Sequence, residues 1–363
     1  MNQQDLITSG QMAFLFFSFM TGSSIVNVPG PVIGFAHNGA WISLIISNLI
    51  GLLLLTCLLM LHKKHAGLTL VECSRKAVGS FVTVLLTVPF IFYLFLMVTW
   101  IVIGVGGFMN SSMMRETPSY IFHFFILVTA AWTVRAGMEV MARMFVLYTI
   151  IVLFFVFIVL ALLFTNYNPD FLLPILPDGI KPVMLGSYFT FGFPFAEIVV
   201  FSMLLPYVNK ESSSKLPKYM VTALIFNGFV LIMTTLCTLM TYGPLATKLR
   251  YPLFAISRLI DFADFMQRIE SVVGISLIAG SYMKATIALF ALNLMMSRLF
   301  KTQDERVFIY PITLICFCLS IVMFDSQAEF DEKVSLVWPL LNLTLAVIPF
   351  LIIASVSFIK KEG

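Results

Sequence analysis

The sequence predicts an all-α integral membrane protein of ten transmembrane helices, set out as two inverted groups of five within one polytopic domain covering residues 1–363. Three observations carry this expectation. Hydrophobic residues make up 60% of the 363 and charged residues 11%, far from the roughly 45–50% and about 25% of soluble domains. Ten apolar segments of about 20 residues follow one another along the chain. The first and the sixth are interrupted near their middles, at Gly22-Ser23-Ser24 and at Phe191-Gly192-Phe193-Pro194-Phe195.

Taken in order, span 1 is expected over residues 10–35 with its break at Gly22. The start, Met1 to Gln11, is polar, carries Asp5 and lacks a basic region. It therefore does not read as a cleavable signal, and the first span is expected to be retained. Span 2 covers 41–61. Span 3, 80–107, is long enough to require tilt, and span 4, 119–134, is short. Span 5 is expected over 144–165 and closes the first group, helices 1–5, over 10–165. Span 6, 184–206, holds the second break and opens the second group, helices 6–10, over 184–358. Span 7 follows over 219–243. The loop after it alternates apolar and charged residues (Leu253, Phe254, Ile256, Leu259, Ile260, Phe262), the pattern of an amphipathic helix lying on the membrane surface. Spans 8, 9 and 10 are expected over 272–297, 307–324 and 335–358.

Basic residues orient the set. With the N-terminus inside, fourteen Lys and Arg fall on the inner side against seven outside, and Lys284 stands alone within a span. The excess predicts that both termini are cytoplasmic. An odd number of spans per group makes the second group enter the membrane upside down. Matched breaks in corresponding spans of inverted groups are the sequence pointer to a ligand site at the bilayer midplane. The formal charge of +4 does not suggest a nucleic-acid partner.

The residues at the breaks are the candidates for ligand contact. At Gly22, Ser23, Ser24 and Ile25 the second half of span 1 begins. Its freed amides and positive dipole end suit a carboxylate, and Gly22 lets backbone approach a ligand. Close packing of small residues against a neighbouring helix is the alternative reading of the same motif. In span 6 the candidates are Phe191, Gly192, Phe193 and Phe195, with Pro194 suited to the first turn of a new helix. Glu197 and Lys284 are the ionisable residues well inside spans, where a charge costs roughly 2.5–3.5 kcal/mol on insertion scales. Three roles stand open for Glu197: stabilising the positive end of the second half-helix, pairing with Lys284, or taking up a proton or a substrate ammonium. Ser281 lies one helical turn from Lys284. Tyr93 sits near the centre of span 3 with a hydroxyl that needs a partner, packing being its other reading.

Other motifs offer less. The run Gly104-Val105-Gly106-Gly107 follows no strand and is no nucleotide fingerprint. The four histidines have no metal-ligand spacing and no nucleophilic triad is visible, so neither a metal, a cofactor nor an enzyme is expected. The five cysteines lie in or beside apolar segments in an odd number, against a disulfide framework. Arg135, Glu139 and Arg143, spaced four apart, read as an ion-pair ladder on one helix face.

The stretch GSSIVNVPG (22–30) resembles the unwound first helix of the amino acid, polyamine and organocation permeases. The segments 41–79, AGMEVMARMFVLY (136–148), FGFPFAEIVVFSMLLPYV (191–208) and the pair Glu270, Ser271 before span 8 resemble the B subunit of spore germinant receptors, the spore germination permease family. The resemblance covers essentially the whole chain. It implies a leucine-transporter-type fold in the inner membrane of bacterial endospores, in complex with an A subunit and a lipoprotein C subunit. It also implies recognition of a small nutrient germinant, an amino acid before a sugar or a nucleoside, with a proton-coupled amino acid transporter as the alternative. Carried over by position, it implies a pocket containing Gly22, Tyr93, Gly192 to Phe195 and Lys284, with the lysine amine standing where sodium-coupled relatives place a cation. The chain departs from the pattern at Ser24, where the permease break has glycine, and at Leu277, where an aromatic is common.

Overall fold

The structure is a computed structural model that describes residues 6–259 and 269–360. Span 1 is built from three pieces, α1 (Ser9–Thr21), α2 (Ser24–Asn27) and α3 (Pro29–Ala36). It opens with a reciprocal cap: the Thr8 hydroxyl accepts from the Gln11 amide while the Gln11 side chain accepts from the Thr8 amide. Past the Gly22-Ser23 break the chain is helical as far as Ala36, because Val28, between α2 and α3, keeps φ −79° and ψ −42°. Pro29 and Pro31 fall in the first turn of α3, where missing amides matter least. At His37 (φ 49°, ψ −131°) the chain turns into α4 (Ala40–Lys64), which is span 2.

Span 3 lies in α5 (Leu70–Phe108), capped by Thr69 and Glu72 and kinked at Gly79 (φ 82°, ψ 171°). That backbone conformation is open to glycine at little cost. It separates a leading stretch from the membrane segment expected to begin at residue 80. Spans 4 and 5 are α6 (Ser119–Ala136) and α7 (Met138–Leu162), joined through the single residue Gly137 at φ 100°. This joint corrects the expected ion-pair ladder. Glu139 and Arg143 do pair along α7, whereas Arg135 belongs to α6 and reaches the Tyr310 hydroxyl at 3.1 Å.

Span 6 starts as α8 (Ile180–Gly192) and resumes, after Phe193 and a cis peptide to Pro194, as a 3₁₀ helix over Phe195–Ser202. An α-helical turn was expected here. Instead the Glu197 amide pairs with the Pro194 carbonyl at 3.1 Å, three residues back, the tighter winding that defines a 3₁₀ turn. Span 7 is α9 (Leu216–Tyr242). The amphipathic loop helix is shorter and more enclosed than expected: α10 (Pro252–Ser257) buries Leu253, Phe254 and Ile256. Phe108 stands edge-on to Phe254 at 5.2 Å and to Tyr251 at 4.9 Å, so the apolar side faces protein. Leu259 is exposed, while Ile260 and Phe262 lie outside the described residues.

Span 8 is α11 (Glu270–Phe300) and span 9 is α12 (Ile309–Val322). An unexpected helix, α13 (Gln327–Leu336), follows at 111° to α12. Its cap is Ser326, whose hydroxyl accepts from the Glu329 amide. Span 10 runs through α14 (Trp338–Asn342), a π-helical turn over Leu343–Val347 and α15 (Ile348–Ile359). Among the described residues eight continuous stretches are long and apolar enough to cross a membrane, or nine with the bent α12–α13 pair. The ten spans exceed this because α1 is short by itself and the stretch Pro29–Lys64 holds both the end of span 1 and all of span 2.

Three contacts hold the broken spans in place. A Cβ on Gly22 would stand 2.4 Å from the Gly280 carbonyl oxygen, and one on Gly280 would stand 2.3 Å from that of Gly22. The break in span 1 is therefore pressed backbone to backbone on α11. The Asn342 side chain donates to the Gly192 carbonyl at 2.9 Å, satisfying an acceptor that the end of α8 leaves free. Between α4 and α8 a seam of small polar residues forms, with Ser43 donating to the Val183 carbonyl at 2.8 Å and Ser47 to the Ser187 carbonyl at 2.9 Å.

The membrane face that carries both termini is tied shut. Ile7 pairs with the backbone of Tyr207 and Asn209, at 2.9 Å each, and Ser9 donates to the Ser212 carbonyl at 2.6 Å. Arg298 of α11 reaches Glu305 at 2.5 Å and Glu72 of α5 at 3.8 Å. The Tyr207 hydroxyl donates to Glu305 at 3.2 Å.

Candidate functional site

The two intramembrane charges meet. Lys284 Nζ lies 2.5 Å from Glu197 Oε2, with the side chains 0% and 1% exposed. Glu197 comes to this point because the 3₁₀ turn after Pro194 carries it inward. Lys284 comes from the middle of α11, whose neighbours Met283, Ala285 and Thr286 are buried as well. Trp338, at the start of span 10, donates its indole Nε1–H to Glu197 Oε1 at 3.1 Å. The lysine nitrogen also sits 4.1 Å from the ring centre of Phe193 and 5.2 Å from that of Phe19, within cation–π range of both. Tyr93 stacks on Trp338 at 5.1 Å, and its buried hydroxyl has no hydrogen-bond partner among the described residues.

Glu197 forms part of the wall of a cavity of about 540 Å³. The end of the cavity near the broken helices is marked by Ser23, Ser281, Phe193 and Glu197, and the far end by Arg250, Tyr251 and Asp331. Trp100 and Trp338 form an aromatic flank, 5.1 Å apart, and Phe330 of α13 stands edge-on to Trp100 at 6.1 Å. The Arg250 guanidinium meets Asp331 through two contacts, Nε to Oδ2 at 2.8 Å and Nη2 to Oδ1 at 2.8 Å. Arg250 also lies over the ring of Tyr251, 5.0 Å from its centre, and Gln327 donates to Asp331 Oδ1 at 3.2 Å. Burial pushes the Asp331 carboxyl up from its usual range, with the Arg250 charge pulling the other way. The cavity thus opens on the face opposite the termini, through a mouth that the Arg250–Asp331 ion pair crosses.

Of the residues singled out from the sequence, Ser23, Phe193, Ser281 and Glu197 line this cavity. The others have different surroundings. Gly22 is held against Gly280. The Ser24 hydroxyl is turned back onto the Met20 and Thr21 carbonyls, closing acceptors that the break had freed, and Ile25 is buried. Tyr93 and Lys284 stand behind the wall, in contact with Trp338 and Glu197. Gly192 faces Pro339, and Phe195 packs on Gly51. Phe191 is partly buried against the core. With α2 four residues long and the Ser24 hydroxyl engaged, the break in span 1 is a packed joint more than an open anion cradle.

Arg250, Asp331 and the two tryptophans were not reached from the sequence as site residues. A signal for the acid existed: Ser326 and Glu329, three apart, form the capping pattern that starts α13. No local pattern marks Arg250, which becomes informative only when the loop after span 7 is folded over the cavity.

Comparison with known proteins follows the same lines. A family model described as "Spore germination protein" matches residues 6–329. The chain is similar to spore germination protein KB of Bacillus subtilis (strain 168), 26% identical over 328 residues, covering 89% of this chain and 86% of that protein. It is also similar to spore germination protein YndE of the same organism, 21% identical over 319 residues, covering 86% and 87%. Among solved structures it resembles a Na+-coupled sialic acid symporter in a substrate-bound outward-open state (TM-score 0.70, 9% identity, 96% of this chain and 79% of that chain). MhsT in complex with L-phenylalanine is similar too (TM-score 0.67, 15% identity, 96% and 98%). At such identities the likeness speaks to fold: the ten spans have the leucine-transporter-type arrangement, five and five, broken in spans 1 and 6.

Proposed function

The chain belongs to the spore germination protein family, and on that premise we propose that it is the nutrient-recognising membrane subunit of a spore germination receptor. The ligand is a small nutrient, an amino acid before a sugar or nucleoside, taken up in the cavity between the broken helices. The protein sits in the inner membrane of the endospore as a single membrane domain with both termini cytoplasmic, and passes its state to A and C subunits. The observation that carries this reading is the cavity of about 540 Å³ that reaches the broken helices from one face while the opposite face is closed by the Arg298, Glu305 and Glu72 cluster. The excess of basic residues expected on the side of the termini supports placing the closed face in the cytoplasm, so the cavity opens outward. Occupancy then favours one arrangement of the broken-helix bundle, which partner subunits read as a shift in population. Gly22, Ser23, Ser24, Ile25, Tyr93, Phe191, Gly192, Phe193, Phe195, Ser281 and Lys284 contribute to this site as its lining or as the packed frame behind it.

The buried Glu197–Lys284 pair beside the cavity favours a second reading, a proton-coupled amino acid transporter, because an acid and an amine at bilayer depth suit a proton path. One experiment separates the two. Spores lacking the chain are exposed to single L-amino acids, sugars and nucleosides, and vesicles containing the chain alone are tested for uptake of the same labelled compounds. Loss of the response to one nutrient without uptake supports the receptor; uptake without partners supports the transporter. A full germination response in the deletion strain contradicts the receptor reading.

A further inference from the structure

We propose that Arg250 is the residue that recognises a free carboxylate on the nutrient, and that Asp331 is an internal carboxylate whose place the nutrient takes. This rests on the reading of the cavity as a nutrient site. Among the described residues the charges along the cavity wall are Glu197, Lys248, Arg250 and Asp331. Glu197 is committed to Lys284 and Trp338, so the inner end offers no free cation to an anionic group. At the break in span 1 the Ser24 hydroxyl is turned onto the Met20 and Thr21 carbonyls, and Ser23, which lines the cavity, carries no charge. Of the two cations toward the mouth, Lys248 carries a point charge, whereas Arg250 can hold both oxygens of a carboxylate at once, and its geometry already does so: two contacts of 2.8 Å to the two oxygens of Asp331. A planar guanidinium presents the same fork to any carboxylate. The Tyr251 ring lies beside the fork, 5.0 Å from the guanidinium carbon.

The contact with Asp331 is built to be exchanged. Its side chains are 34% and 41% exposed, so a solute entering the mouth can reach both partners. Asp331 rides on α13, whose neighbouring Phe330 leans on Trp100 in the cavity wall. A ligand carboxylate that displaces Asp331 would thus release the charged anchor of α13 while its own apolar part lies along Trp100 and Trp338. Recognition and movement of the mouth become one event.

The test uses spores carrying the complete receptor with the wild-type chain, Arg250→Gln, Asp331→Asn or Asp331→Ala. The probes are L-alanine, L-valine, L-leucine and L-phenylalanine, each beside its primary carboxamide, with abundance of the chain measured in the spore membrane. Exchange predicts opposite shifts. Asp331→Asn and Asp331→Ala lower the concentration needed for half-maximal response to the triggering amino acid. Arg250→Gln raises it about tenfold or more, and the matching amide fails with the wild type. A clamp with no recognition role would move all variants in the same direction, and that result overturns the inference. So does an amide as potent as its acid, or a receptor that answers to a sugar and to none of the four amino acids. These outcomes leave the receptor reading intact, whereas an unaltered response of the deletion strain to every nutrient removes that reading itself.

Discussion

Lys284 of span 8 and Glu197 of the broken span 6 form a fully buried ion pair at 2.5 Å. The contact joins a long unbroken helix to the segment most weakened by its missing amides. It sets the acid opposite the lysine, one of the three roles the sequence leaves open for Glu197, and the acid also forms part of the cavity wall.

Removing one partner should therefore cost more than removing both. Lys284→Met leaves a buried carboxylate uncompensated, a loss of about 3–5 kcal/mol, and should lower the amount of chain in the membrane. Lys284→Met combined with Glu197→Leu should recover much of it. Quantitative immunoblotting of membranes checks this, and equal abundance of the single and double variants would show that the pair is not a structural tie.

Gly22 and Gly280 should behave as one unit. Either residue changed to Ala places a methyl 2.3–2.4 Å from the other's carbonyl oxygen, an overpacking cost of about 1–3 kcal/mol. The double variant should cost less than the sum, since one displacement of span 1 from α11 relieves both clashes. Thermal unfolding of purified chains in detergent measures the coupling; strict additivity would mean the two sites do not share a contact.

Trp338→Phe keeps an aromatic ring beside Tyr93 and deletes the 3.1 Å hydrogen bond to Glu197. A bond to a charged acceptor contributes about 1.5–3 kcal/mol. The variant should be less heat-stable by an amount in this range and should also be less sensitive to nutrient, because Trp338 lines the cavity. Unchanged stability with altered sensitivity would assign the indole to the ligand alone.

On the closed face, Glu305→Ala removes the acceptor shared by Arg298 and Tyr207. The ends of spans 6 and 8 on this face should loosen. A cysteine placed at Ser297, now 2% exposed, should then react faster with a polar thiol reagent than it does beside intact Glu305. Equal rates would place the seal elsewhere.

Much of this arrangement was legible in the sequence because the bilayer imposes strong rules. Apolar runs of membrane length located the ten spans, and the pairing demands on backbone groups made the breaks at Gly22 and Phe193-Pro194 informative. Rarity made Glu197 and Lys284 conspicuous. What stayed hidden depends on contacts between segments far apart in the chain. That Gly22 meets Gly280 cannot be read from either helix alone, so the same small residue suited an open ligand cradle and a close joint equally well. Loop geometry hid Arg250 and Asp331 in the same way, since their significance lies in meeting across the cavity mouth. The α13 helix was overlooked although Ser326 and Glu329 carried its capping pattern, because hydropathy dominated the reading of that region.

The central claim is that the cavity between the broken helices receives the nutrient, and Gly34 tests it most directly. Gly34 lines the cavity, and a Cβ at this position would meet no atom within 4 Å. Gly34→Leu therefore starts its side chain in open space, adds bulk to the cavity wall and replaces a poor helix former by a good one. Measured in spores with the complete receptor, the nutrient concentration for half-maximal germination should rise by about tenfold or more, a loss of about 1.4 kcal/mol or more in binding, at unchanged abundance of the chain. A wild-type response from a filled cavity would contradict the account.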